Sequence, residues 1–246
     1  MRNLCLIAVL FISSLVLAQE KITFKASDGL EITADLYVTN PETSPFIILF
    51  HQARWSRGEY LEIAPKLNKM GFNCMAIDQR SGGEVNEVIN ETFQRAEKQG
   101  LGTNYIDALV DMNSTIDYVK EKYNKAGNLI IWGSSYSSAL VLHIASVRKD
   151  INGALSFAPG EYFEDQGKPK DWLTQGAKNI SIPTFITSAK MEKKNWWDIA
   201  AQIPEHNRAY FLPTKLGKHG SSALWSKFAD SQEYWDAVEE FLSLFQ

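Results

Sequence analysis

Leu129-Ile130-Ile131-Trp132-Gly133-Ser134-Ser135-Tyr136-Ser137-Ser138 is the stretch that decides the reading of this 246-residue chain. Four large apolar residues in a row predict a strand buried on both faces, and the run passes directly into a predicted helix over Ser135–Val147. At the junction, Gly133-Ser134-Ser135-Tyr136-Ser137 is a Gly-x-Ser-x-small turn, which holds its serine in a strained conformation with the hydroxyl above the sheet edge. Small residues two before and two after Ser135 let strand and helix pack closely around it. The pattern alone is short enough to arise by chance, and a Ser-rich helix N-cap reads the same way. The strand–turn–helix context favours a nucleophile. It also places the N–H of Tyr136 at a helix start, where it can face a developing oxyanion.

The flanking sequence alternates strands and helices. Lys21–Lys25 and Glu31–Val38 around Asp28-Gly29 predict a β-hairpin, and Phe46–Phe50, bounded by Pro45, a buried strand. A helix is expected over Gly58–Met70, stopping at Gly71, then a strand over Phe72–Ile77 and a polar Gly-rich loop from Gln79 to Gly102. In the helix expected over Thr103–Tyr123, Ile106, Leu109, Val110, Met112, Ile116 and Val119 recur at helical spacing. Strands follow at Asn128–Trp132, Gly153–Phe157, Thr184–Ser188 and Ala209–Leu212, with helices at Trp196–Ala201 and Ser231–Phe245. Gly160–Asn179 is polar and aromatic with no period. Such alternation predicts βαβ units, a mostly parallel sheet of about eight strands, and helices on both faces of one domain spanning 19–246.

The first eighteen residues read differently. Met1-Arg2-Asn3 is a short positive start, Leu4 to Leu17 is almost unbroken apolar sequence, and Val16-Leu17-Ala18 suits a signal peptidase. About 15 apolar residues fall short of the roughly 20 that span a bilayer. The expectation is a secretory signal cleaved between Ala18 and Gln19, an exported chain, and no membrane span thereafter. Cleavage removes Arg2, moving the formal charge from −4 to −5, and removes Cys5, leaving Cys74 in an apolar run as a buried, inert thiol. That charge and the lack of any basic run argue against a nucleic-acid partner. With 45% hydrophobic and 22% charged residues, the chain also falls outside disordered and disulfide-scaffold classes.

A serine nucleophile needs an imidazole base, and the base needs an acid to fix its tautomer and support its cation. Of four histidines, His143 falls inside the helix after Ser135, His206 in a loop, and His51 at the end of strand Phe46–Phe50. His219 lies in Leu216-Gly217-Lys218-His219-Gly220, where flanking glycines suit a ring that must reach Ser135. Among the acids between them, Glu192 follows strand Thr184–Ser188 by a short loop; Asp198 is the rival, inside an expected helix. The order Ser135, Glu192, His219 is that of sheet enzymes with this turn.

At these residues the chain resembles the α/β-hydrolase superfamily, most closely its dienelactone-hydrolase-like branch, over nearly all of residues 19–246. His51-Gln52-Ala53-Arg54 looks like the oxyanion loop, where His-Gly is commoner; by position Ala53 would give the second oxyanion N–H beside Tyr136. Asp78-Gln79-Arg80-Ser81-Gly82-Gly83 resembles the family's Asp-x-Arg-Gly-x-Gly loop, and Ser188-Ala189-Lys190-Met191-Glu192 its acid loop with Glu for Asp. Two departures stand out: Gln52 replaces a glycine, and Ser137 replaces the second glycine of the serine turn.

The resemblance implies an α/β-hydrolase fold without a large cap and two-step acyl transfer from a small ester, lactone or thioester to water. It calls for no cofactor and no metal. Tyr105, Tyr136, Tyr162, Phe163, Trp172, Trp196 and Trp197 are candidates for an aromatic-lined pocket. A second reading keeps the fold without turnover, as a ligand- or partner-binding protein; transfer to another acceptor is a third.

Overall fold

The computed structural model describes residues 19–246, so the expected signal segment lies outside the described residues. A hairpin of β1 (Gln19–Lys25) and β2 (Glu31–Tyr37) opens the chain. It continues through β3 (Phe46–Phe50), α1 (Ile63–Lys69), β4 (Asn73–Ile77), a small ribbon of β5 (Glu84–Val85) and β6 (Val88–Ile89), α2 (Glu91–Lys98) and α3 (Ala108–Lys122). Then come β7 (Leu129–Ser134), α4 (Tyr136–Val147), β8 (Gly153–Phe157), α5 (Trp172–Ala177), β9 (Thr184–Thr187), α6 (Lys193–Gln202), β10 (Arg208–Phe211) and α7 (Ser231–Leu242). Eight strands form one sheet in the order β1-β2-β4-β3-β7-β8-β9-β10. The first two pairings are antiparallel and the other five parallel, as crossover helices require.

Every residue of β3, β4, β7 and β8 is buried, because strands covered on both sides bury both alternating sets of side chains. Ile48, Phe50, Met75, Ile77 and Ile131 join Met112, Ile116, Leu140 and Ile144 of α3 and α4 in one core. Ile47, Leu49, Cys74, Ala76 and Trp132 join Ile63 and Leu67 of α1 and Tyr234, Val238 and Phe241 of α7 in the other. Burial raises the Cys74 thiol far above its usual range, so it is held as the inert thiol.

Several boundaries differ from the sequence expectation. The expected helix Gly58–Met70 begins as a separate 3-10 turn, Arg57–Tyr60, and the expected helix Thr103–Tyr123 has its first turn as Tyr105–Asp107 in the same form. The stretch Gln79–Gly102 is not all loop: it contains the β5–β6 ribbon and α2, whose only buried residues are Thr92 and Ala96, too few to write a hydrophobic period. Gly160–Asn179 contains α5. The helix expected at Trp196–Ala201 begins three residues earlier, at Lys193, because a 3-10 turn over Lys190–Glu192 runs into it.

Candidate active site

The parallel strands end along one edge of the sheet, and the loops leaving them carry the expected site residues. Ser135 stands between β7 and α4 with φ 57° and ψ −122°, a conformation an L-residue adopts only where its surroundings hold it. Its N–H donates to the Phe157 carbonyl at 2.7 Å and its carbonyl accepts from the Ser138 and Ala139 amides, which fixes the turn at both ends. Gly133 must be glycine, since a Cβ there would lie 2.5 Å from the Ser137 carbonyl.

Ser137, the departure from glycine, is used by the fold. Its buried hydroxyl accepts from the Ser134 N–H at 2.9 Å and lies 2.8 Å from the Phe50 carbonyl as donor, tying the turn to the end of β3. Gln52 is likewise accommodated. The left-handed step of the His51–Arg54 loop falls at Arg54, φ 64°, so residue 52 needs no glycine.

His51 sets that loop. Its Nε2 accepts from the Gln79 N–H at 3.0 Å, which leaves Nδ1–H to donate to the Gln52 carbonyl at 2.8 Å. Complete burial holds the ring neutral, with its pKa down to about 4. Gln79 in turn accepts from the His51 N–H and donates to the Tyr136 hydroxyl. The amides of Ala53 and Tyr136 themselves have no acceptor among the described residues, the condition an oxyanion hole requires.

On the other side of the serine, His219 Nδ1–H donates to Glu192 Oε1 at 2.7 Å, and the other Glu192 oxygen accepts from the Ala189 amide at 3.2 Å. The Lys190 N–H reaches the Leu216 carbonyl at 2.9 Å, clamping the acid turn to the histidine loop. Asp198 is exposed on α6, away from that contact. Ser135 Oγ and His219 are not hydrogen-bonded in this structure, although the Ser221 N–H, two residues past His219, donates to Ser134 Oγ at 2.9 Å. The His219 side chain is 41% exposed, so the ring has room to turn. Resting catalytic hydrogen bonds commonly tighten only in complexes with substrate.

The aromatic candidates divide. Tyr105 stacks on Tyr136 at 4.6 Å, and Tyr162, half-buried near Ser135 and Glu192, donates its hydroxyl to the Ala158 carbonyl at 2.9 Å. Phe163, Trp196 and Tyr136 are all fully buried and belong to the core, so these three rings do not line a pocket; the Trp196 indole donates to Ser188 Oγ. His143 packs on Trp172, and His206 is exposed.

The family model described as serine aminopeptidase, S33 matches residues 41–210. The chain belongs to this family of α/β-hydrolases. In the solved structures, an esterase of Pyrococcus furiosus superposes with a TM-score of 0.72 at 16% identity, covering 100% of this chain and 99% of its own. A dienelactone hydrolase from Anabaena variabilis gives 0.69 at 11% identity over 92% and 97% of the two chains. A thermostable carboxyl esterase from Bacillus coagulans gives 0.66 at 14% over 93% and 97%. At these identities the likeness is one of fold. Among curated proteins none matches significantly in sequence.

One site residue escaped sequence reading. Glu59, in the 3-10 turn after the His51–Arg54 loop, is fully buried. Its Oε2 accepts from the Gln52 N–H at 2.8 Å and its Oε1 from the Ser134 hydroxyl at 2.7 Å. Burial lifts its carboxyl to about 7. Folding therefore gains stability from Glu59 below about pH 4.5, and that stability is lost as pH rises through about 7.

The Asp78–Gly83 loop is a scaffold in this hydrolase. The Arg80 guanidinium grips both Asp111 oxygens at 2.8–3.1 Å, and its Nη1 reaches Asp28 at 2.7 Å. Asp111 is completely buried. Arg80→Met should therefore lower unfolding stability by roughly 3–5 kcal/mol by leaving that carboxylate uncompensated. Urea melts at neutral pH check it, and a loss below about 1 kcal/mol would mean the pair holds nothing.

Proposed function

We propose that this α/β-hydrolase is a serine hydrolase that cleaves a carboxylic ester, lactone or thioester of small size through an acyl-enzyme. The supporting observation is the positive φ of Ser135 at the head of α4, together with the amides of Ala53 and Tyr136, which have no acceptor among the described residues. In this reading His219 Nε2 takes the Ser135 proton as Oγ bonds to the carbonyl carbon. The tetrahedral oxyanion lies against the Ala53 and Tyr136 amides, each contributing about 3–4 kcal/mol. His219 then hands the proton to the leaving alcohol as its C–O bond breaks, with Glu192 supporting the imidazolium through Nδ1–H. Water repeats the sequence and releases the acid. The chain acts outside the cytoplasm after cleavage at Ala18.

The test is labelling with a fluorophosphonate, which phosphonylates an activated serine, followed by peptide mapping. Modification of Ser135 is the expected result. An unlabelled protein that still binds ester-like ligands would favour the non-catalytic reading.

A further inference from the structure

Glu59 joins three segments that the sequence keeps far apart. One oxygen takes the amide of Gln52, the residue before Ala53. The other takes the hydroxyl of Ser134, the residue before Ser135. That hydroxyl oxygen also accepts from the amide of Ser221, two residues after His219. Gly220, at φ 67°, closes over this contact; a Cβ there would lie 2.5 Å from Ser134 Oγ. The Glu59 main chain is pinned as well, its N–H on the Ser56 carbonyl and its carbonyl on the Trp225 indole.

No cation forms an ion pair with this carboxylate among the described residues. The neighbouring guanidinium, Arg57, is spent on Asp35, Asp78 and Glu91. The titratable groups that feel Glu59 are Tyr60 on its own turn, Tyr136 on α4 and His219 on its loop. Both tyrosines are held neutral by burial, so His219 is the partner whose charge changes in the reaction.

We propose that Glu59 is a positioning residue that registers the oxyanion loop, the nucleophile turn and the histidine loop, and supplies a second negative charge for the His219 cation. This rests on the serine-hydrolase reading and deepens it. Glu192 meets the ring through a hydrogen bond, while Glu59 acts through the field and through Ser134.

Burial brings the Glu59 carboxyl to about 7, so the contribution varies over the neutral range. Ionised, it accepts both hydrogen bonds and carries charge. Protonated, it keeps the Gln52 amide and reverses the bond to Ser134, but the charge is gone. Glu59→Gln imitates the protonated form, with its carbonyl on the Gln52 amide and its NH2 on Ser134.

The experiment is the ratio of wild-type to Glu59→Gln kcat/KM on a short ester between pH 5 and 9, with folding of both checked by circular dichroism. We expect a ratio of roughly ten to a hundred above pH 8, mostly in kcat, shrinking toward one below pH 6. A ratio constant across that range would show a structural role alone and overturn the proposal. Ser134→Ala gives a second reading should Glu59→Gln fail to fold. Removing a donor from the carboxylate moves its titration upward, so the acid limb should shift to higher pH, and an unmoved limb would count against Glu59. A wild-type chain inert to ester and fluorophosphonate alike would instead overturn the serine-hydrolase reading, and this inference with it.

Discussion

Ser135→Ala is expected to lower kcat/KM on a short p-nitrophenyl ester by about four orders of magnitude or more, with the loss in kcat and not in KM. The side chain is half-buried and only its hydroxyl is removed, so unfolding stability should stay within about 1 kcal/mol of wild type. Relief of the positive φ does not follow, since alanine has the same Cβ. His219→Ala should match the loss, and the double variant should be no worse than either single one, because nucleophile and base act as a unit. Steady-state rates on purified variants check this. Activity retained in Ser135→Ala would move the nucleophile elsewhere.

The acid gives the second large effect. Glu192→Gln keeps an oxygen and an NH2 near His219 but removes the charge that fixes its tautomer and supports its cation. Turnover at neutral pH should fall by roughly three to four orders of magnitude. Asp198→Asn should leave the rate within about twofold, because an exposed carboxylate on α6 acts on the ring only through solvent. The reverse pattern would reassign the acid to Asp198. The 2.7 Å contact between His219 Nδ1 and Glu192 Oε1 is the reason to expect the first outcome.

What the sequence made legible was whatever repeats locally. Ile130, Ile131 and Trp132 running into Gly133 and Ser135 identify strand, turn and helix within ten residues. Glu192 and His219 were found from their place after strands, and the structure puts them in contact. Glu59 was invisible because it looks like one more acid in a polar helix start, while its partners lie seven, 75 and 162 residues away in Gln52, Ser134 and, through Ser134, Ser221. The hydrogen bonds by which Gln79 holds His51 and its loop were hidden for the same reason. Helix α2 was missed on different grounds. Its stability comes from the Asn90 cap on the Phe93 amide and from ion pairs of Glu91, not from an apolar stripe. Phe163 and Trp196 show the limit of reading aromatics, since composition does not say which rings face a cleft.

The hydroxyl of Ser137 has a bearing on how this protein could be redesigned. Replacing an unusual residue by the one its relatives prefer is a common route to a sturdier variant. At this position the swap to glycine would delete the oxygen that accepts the Ser134 amide, orphaning that N–H in a closed interior, while the Phe50 carbonyl would keep only the Tyr60 hydroxyl. It would also add backbone freedom in the first turn of α4. The expected penalty is about 1–3 kcal/mol, so a library built on family averages would be misled at the residue beside its own target. A serine in the place of a glycine marks a different but internally consistent solution, and since its partners are main-chain groups of residues 50 and 134, no side-chain change there can stand in for the hydroxyl at 137.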